Sequence, residues 1–289
     1  MSEIFFSVII SAYNAEKYIG QAIQSVYKEN LSTVEVIVID DGSEDQTIEC
    51  VQKLACENIR IITIPHSGVQ MARMYGVVNA KGKYLLFLDA DDTFVPGALN
   101  KIYEAILGHP CDMLIFGTYY YRDNQEAVIQ NAEYEEGYLS SRKLCMGMIE
   151  HRAIKSLGRK AVKRTIAIQM DRFVKENSVA YGEDILLTFD YASKSEKIYL
   201  IQDTLYEYCC RLDGAMHRFY PYKYLDRYTL YKAILYYGEI LQINTQTLKK
   251  TAQKYLESSL NECKKEIISS NLCEEEKQKF FNAIAKVRK

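Results

Sequence analysis

Apolar runs and amphipathic stretches take turns through about residue 122. SVIISAY (7–13) is β-branched and apolar, which predicts a buried strand. In AEKYIGQAIQSVYKEN the apolar positions Tyr18, Ile19, Ala22, Ile23 and Val26 recur at helical spacing. VEVIVIDDG (34–42), IRIITIP (59–65), KYLLFLDAD and CDMLIFGTYYY (111–121) read as further strands. Between them, SEDQTIECVQKLACE reads as a helix with Ser43 as N-cap. GVQMARMYGVVNAKG reads as a helix ending near Gly82, and PGALNKIYEAIL as one with proline in its first turn. Strands alternating with helices predict a mostly parallel, doubly wound sheet.

The pattern loosens from about 122 to 220, where a helix is expected over Glu183–Ala192 and strands over 197–201 and 204–210. From Pro221 onward the chain reads as helical. Tyr222, Tyr224, Tyr228, Tyr231, Tyr236 and Tyr237 crowd its first part, and lysines and glutamates interleave with apolar residues to the end. The organisation expected is a nucleotide-binding half (about 1–122), an acceptor half (about 123–220) and a helical region (221–289).

Composition narrows the field. The chain has 289 residues, and a net charge of −2 argues against a nucleic-acid partner. No apolar run is long enough to span a bilayer, and MSEIFFSVIISAYN carries an acidic residue where a signal peptide needs basic ones. Eight cysteines without a C-x-x-C pair fit neither a thiolate metal site nor a disulfide framework, and point to a reducing cytoplasm.

Polar residues collect where the predicted strands end: Tyr13-Asn14, Asp40-Asp41-Gly42-Ser43, His66-Ser67-Gly68 and Asp89 to Asp92. In doubly wound sheets that rim is where ligands bind. A D-x-D at the end of a buried strand suits Mg²⁺ or Mn²⁺ shared with substrate phosphates. The alternative, a helix cap, accounts for one carboxylate of the three, and Asp92 is the one assigned to it. An EF-hand loop is excluded because Phe94 stands where its glycine is required. Asp40 and Asp41 could accept from a base N–H or a ribose hydroxyl, or simply form a turn. Arg73 could reach a phosphate or be a solvated helix residue. Glu183 and Asp184 open an apolar helix, as caps or as a general base. No G-x-G-x-x-G or P-loop pattern is present, which argues against a dehydrogenase or a P-loop kinase.

Together SVIISAYNAEKYIGQAIQSV, EVIVIDDGSEDQT, HSGVQMARMYGVVNAKGKYLLFLDADD and YGEDILLTF resemble the family 2 glycosyltransferases, inverting nucleotide-sugar enzymes of the GT-A fold, in order and spacing. The resemblance implies an α/β, doubly wound, mostly parallel mixed sheet with a C-terminal helical extension. It implies transfer of a hexose-type sugar from a nucleotide-diphosphate sugar, UDP-sugar first, to a glycan or lipid-linked acceptor in surface-polysaccharide synthesis. Tyr13, with Ala12 beside it, would lie against the base, and Asp41 with Asp40 would bind base or ribose. Arg73 would approach the diphosphate, Asp89 with Ala90 would contact the nucleotide sugar, and Asp91 would hold Mn²⁺ or Mg²⁺. Asp184 would be the catalytic base with Glu183 beside it.

Three departures stand out: Ser11 where proline is usual, Met74 where asparagine is frequent, and SLGRKAVKRTIAIQMDRF, a loose match to the usual Lys-Leu-Tyr-Lys-Arg stretch. His217 and Arg218 are further candidates to approach the donor phosphates, against a plain surface reading. The tyrosine-rich helices suit a packing module, a homodimer contact or a peripheral contact at the inner face of the membrane. A catalytically silent nucleotide-sugar-binding subunit and a nucleotidyltransferase are the competing functions. The latter lacks its glycine-rich loop in SAYNAEKYIG.

Overall fold

The computed structural model describes residues 3–27, 33–54, 58–122, 127–130, 134–150, 154–211 and 219–287. In chain order, β1 (Phe6–Ala12), α1 (Ile19–Tyr27), β2 (Val34–Asp40), α2 (Thr47–Lys53), β3 (Ile59–Thr63), α3 (Val69–Asn79) and β4 (Tyr84–Asp89) form the alternating first part. Then come β5 (Thr93–Phe94), α4 (Ala98–Gly108), β6 (Met113–Arg122), β7 (Val128–Gln130), β8 (Gly137–Leu139) and α5 (Ser141–Glu150). A 3₁₀ turn (Leu157–Arg159) runs into β9 (Lys160–Lys163), followed by α6 (Arg164–Ala167), α7 (Arg172–Glu176), α8 (Glu183–Lys194) and β10 (Ile198–Cys210). Helices α9 (Lys223–Ile240), α10 (Thr245–Ser269) and α11 (Glu274–Val287) follow.

One sheet runs in the order β3-β2-β1-β4-β9-β6-β10-β5, with β7 on β6 and β8 on β10. The β1–β2, β1–β4, β2–β3 and β6–β10 pairs are parallel. β9 runs antiparallel between β4 and β6. This is the doubly wound α/β sheet expected from the alternation. Two details differ. The two strands expected over 197–201 and 204–210 are one strand, β10, with register shifts between Leu200 and Tyr206. Ser43 does not cap α2, which starts at Thr47. Asp45 accepts from the Thr47 amide, and the Ser43 hydroxyl accepts from the Asn14 amide at 2.9 Å.

The apolar runs are explained by burial on both sheet faces, because successive strand residues point to opposite sides. Ile9, Ile37, Leu85 and Phe87 pack with α3 and α8, whereas Val8, Ile10, Val38, Leu86 and Leu88 pack with α1 and α4. Leu230, Ala233, Ile234 and Tyr237 of α9 and Leu248 and Ala252 of α10 join the first of these layers. The rest of α10 packs with α11 around Leu256, Leu260, Cys263, Ile267 and Ile284. Among the described residues, no helix is long and apolar enough to cross a membrane.

A close backbone approach sets the start of β4. The Gly82 amide donates to the Ser7 hydroxyl at 2.8 Å, and that hydroxyl donates to the buried Glu35 carboxylate at 2.6 Å. A Cβ on Gly82 would lie 2.5 Å from the Ser7 nitrogen and 2.6 Å from the Phe6 carbonyl carbon. Backbone cannot rotate out of the way as a side-chain tip can. Gly82→Ala is therefore expected to cost about 1–3 kcal/mol, read as a lower urea midpoint at unchanged m-value.

Candidate active site

The parallel strands β1, β2, β3 and β4 end at one rim of the sheet, and the loops that follow them line a cavity of about 510 Å³. Tyr13, Asp41, Arg73, Asp89, Ala90, Asp91, Glu183 and Asp184 all reach it. Ala12 and Asp40, expected at the nucleotide sugar, are buried and do not line it. His217 and Arg218 fall outside the described residues.

At the β1–β2 side, the Asp41 amide donates to the Ala12 carbonyl at 2.8 Å. The Asp41 carboxylate accepts from the Ser67 and Gly68 amides at 2.7 and 2.9 Å, with His66 Nδ1 2.9 Å from its Oδ2. It thus fixes the turn into α3, where Gly68 adopts φ +88°. Tyr13, 43% exposed, stacks on His66 with ring centroids 4.1 Å apart. Asp40 is buried, its Oδ1 accepting from the Ser43 amide at 3.3 Å.

Arg73 is not a solvated helix residue. Its side chain is 3% exposed, with Nη2 2.8 Å from Asp89 Oδ1 and Nη1 2.9 Å from Glu183 Oε1. Nη1 also bonds Asp184 Oδ1. Three helix and strand ends therefore meet on one guanidinium: α3 supplies it, β4 delivers Asp89, and the first turn of α8 delivers Glu183 and Asp184. The α8 N-terminus carries positive dipole charge that favours carboxylates there. Gly182, at φ +100°, makes the turn into the helix. Burial, with Asp184 adding to it and Arg73 opposing, pushes the Glu183 carboxyl up to about 7. Burial also raises the Asp184 carboxyl, again against Arg73. A carboxylate raised in this way is a stronger base than one in water.

The strand-end aspartates separate by partner. Asp89 is engaged by Arg73. The expectation that Asp92 caps the next helix is not met, since α4 begins after Gly97 and has no side-chain cap. Asp92 is 1% exposed. It accepts from the Tyr206 hydroxyl at 2.7 Å and the Cys209 amide at 2.8 Å, and so ties the β4–β5 loop to β10. Burial, with Asp89 and Asp91 adding to it, holds its carboxyl well above the carboxylate range. Asp91 has a side chain 38% exposed and lines the cavity. Among the described residues no group of three or more His, Cys, Asp or Glu could hold a metal ion. The donor set on offer is one part-exposed carboxylate, Asp91, with Arg211 Nε 3.9 Å from its Oδ2. That fits a hard cation that takes the rest of its shell from diphosphate oxygens and water, as Mg²⁺ and Mn²⁺ do, and does not fit an all-protein cage.

Sequence reading missed two basic residues. Arg211, just past β10, places its guanidinium 3.5 Å from the Tyr18 ring centroid, with Nη2 3.4 Å from the Asp91 carbonyl and Nε 3.9 Å from Asp91 Oδ2. No motif marks it. Lys160, 0% exposed, lies in β9 with its charge felt at Asp184. It stands among Arg159, Lys163 and Arg164, so the local pattern does not single it out.

A second cavity, about 770 Å³, opens on the other side of the 181–184 turn. Tyr181, Gly182, Glu183 and Asp184 line both cavities, and Lys155, Arg227, Lys254, Tyr255 and Ser259 complete the second one.

Comparison with known proteins places these features in a family. The chain is 33% identical over 141 residues to the minor teichoic acid biosynthesis protein GgaA of Bacillus subtilis, 46% of this chain and 32% of that one. It is 25% identical over 227 residues to the glycosyltransferase GlyA of Streptococcus pneumoniae, 76% of this chain and 32% of that one. It spans about a third of the length of these two relatives. In structure it is similar to residues 1–349 of S. aureus TarS in complex with UDP-GlcNAc, with a TM-score of 0.75, 22% identity, and coverage of 98% of this chain and 80% of that one. That likeness supports the fold. Residues 7–167, more than half of the chain, with β1 from its second residue and all of β2 to β4 with their polar ends, match glycosyl transferase family 2, and the chain belongs to that family.

Proposed function

We propose that this chain is an inverting glycosyltransferase that moves a sugar from a nucleotide-diphosphate sugar to an acceptor hydroxyl. The observation that carries the reading is the Glu183–Asp184 pair, which lines both cavities, with both carboxyls raised by burial. The first cavity takes the donor. The Tyr13 face supports the base, and the Asp41 carboxylate has about four lone-pair sites, two engaged by amides, so it can still accept from base or ribose. Asp89, fixed by Arg73, faces the sugar, and Arg73 acts on the diphosphate through this network. Asp91 would hold Mn²⁺ or Mg²⁺. When bound, such a cation offsets the charge that builds on the departing diphosphate.

The second cavity takes the acceptor, a glycan or lipid-linked chain, presented at the inner face of the membrane. Asp184 accepts the proton of the acceptor hydroxyl. The oxygen forms its bond to the anomeric carbon as the bond from that carbon to the phosphate oxygen breaks, and the electron pair leaves with the nucleoside diphosphate. One displacement from the opposite face inverts the anomeric centre. TarS, bound to UDP-GlcNAc, makes a UDP-sugar the first donor to test. GgaA, named for teichoic acid biosynthesis, supports a role in surface-polymer synthesis.

A thermal-shift panel of nucleotide sugars with and without Mn²⁺ tests the donor site, since a ligand that binds the folded state raises Tm. At least one UDP-sugar should raise Tm more with Mn²⁺ than without. Asp91→Asn should remove the Mn²⁺-dependent increment and keep the metal-free part. NMR of the product should show the anomeric configuration inverted. A panel without any shift, or donor turnover with retention, would overturn the reading.

A further inference from the structure

Lys160 is the one fully buried lysine among the described residues, and the steps above do not use it. Its Nζ donates to the Ile154 carbonyl at 2.6 Å and to the Ser156 carbonyl at 2.5 Å. Between those carbonyls the chain is bent against its preference. Ile154 adopts φ +70°, a region that β-branched residues rarely enter, and it is buried. Such a conformation persists only where its surroundings impose it. Two carbonyls on one nitrogen do so here, and either protonation form of the amine has the two N–H groups needed.

The held segment ends at the Leu157–Arg159 turn, which packs on α8, and the Leu157 backbone N–H acts on the Asp184 carboxyl to favour its ionised form. Lys155, in the same segment, lines the second cavity. The charges felt at Asp184 are Arg73 from α3, Asp89 from β4 and Lys160 from β9, with Glu183 beside it on its own helix, and Lys155 and Arg227 of α9 line the same second cavity. Arg73 holds Asp184 from the donor side, and the Leu157 amide is its bond from the loop.

From these contacts we infer that Lys160 is a positioning residue for the catalytic base. It pins the 154–157 loop so that the Leu157 amide sets the orientation of the Asp184 carboxylate toward the acceptor cavity. The inference rests on the reading of Asp184 as base. It predicts a defect in the chemical step with the donor site intact, since a misplacement of about 1 Å costs on the order of 10²-fold in rate.

The test uses the full chain, the UDP-sugar selected by thermal shift, and three variants. Lys160→Met removes the two donors. Leu157→Pro removes the amide at the first position of a 3₁₀ turn, where proline's missing N–H and fixed φ are accepted, so it supplies a route should Lys160→Met not fold. Asp184→Asn removes the base. Both Lys160→Met and Leu157→Pro are expected to lower kcat about 10²-fold, to leave UDP affinity in Mn²⁺ by calorimetry unchanged, and to move the acid limb of the kcat profile to higher pH. In Leu157→Pro that last shift follows because an N–H bond that favours the ionised carboxylate is gone; in Lys160→Met the lost charge of the amine adds to it, so Leu157→Pro is the variant that separates positioning from charge. If the folded variants keep wild-type kcat and acid limb while Asp184→Asn is inactive, the role of Lys160 is overturned alone. If Asp184→Asn transfers sugar normally, the base assignment falls and takes this inference with it.

Discussion

Asp184→Asn is expected to lower sugar transfer by about 10²–10⁴, the usual contribution of a general base, while UDP binding in Mn²⁺ stays near the wild-type value. The amide has nearly the carboxylate's shape, so it keeps the Leu157 contact and much of the packing at the start of α8, but it cannot take a proton. The effect should appear in kcat, because the acceptor loses its proton only as the transition state forms. Steady-state kinetics with the donor saturated, together with calorimetry of UDP, separate this from a binding defect. Transfer within a few-fold of wild type would remove Asp184 from the base role. In the wild type the acid limb of the kcat profile should lie above the ordinary aspartate range, since burial, with Asp89 adding to it and Arg73 opposing, raises the Asp184 carboxyl.

Arg73→Met is expected to cost about 3–5 kcal/mol of stability, because removing one member of a buried ion network strands the others. Three carboxylates, Asp89, Glu183 and Asp184, lose their shared partner within one site. The sign of the pH dependence follows from their direction. Glu183 is already raised in the folded state, from 4.5 to about 7. A carboxyl raised on folding favours the fold while both states are protonated, and that advantage is lost as pH climbs from its unfolded value through its folded one. Arg73 lowers both members of the pair, so its removal raises them further. The variant should therefore lie closest to wild type at acid pH, where these carboxyls are protonated with or without Arg73, and fall away as pH rises through the folded-state value of about 7 for Glu183. Urea unfolding at pH 5 and pH 8 reads this directly. A loss that is equal at both pH values would mean that Arg73 acts through packing of its stem and not through these charges.

The first four strands and the polar residues at their ends were legible in the sequence for a local reason. A strand buried on both faces must be nearly all apolar, and the polar residue that ends it marks the rim. Leu88 followed by Asp89, and Ile39 followed by Asp40, are such boundaries. Glu183 and Asp184 were visible as acidic residues opening an apolar helix. Asp92 was misread because capping is a local rule, whereas its partners, Tyr206 and Cys209, lie 114 and 117 residues on. β10 read as two strands because its register shifts between Leu200 and Tyr206.

What the sequence by itself determined was therefore the alternation, the rim and the residue types placed on it, all set by period and by neighbours a few positions away. The tertiary structure alone decided how those residues are used. Arg73 meets Asp89 at 16 residues' separation, but Glu183 and Asp184 at 110 and 111. Lys160, Leu157 and Arg211 acquire their roles only when β9 slots between β4 and β6 and β10 passes behind the β4–β5 loop. Such contacts leave no periodic trace, because the charge balance of a buried site is settled by which chain segments meet in space.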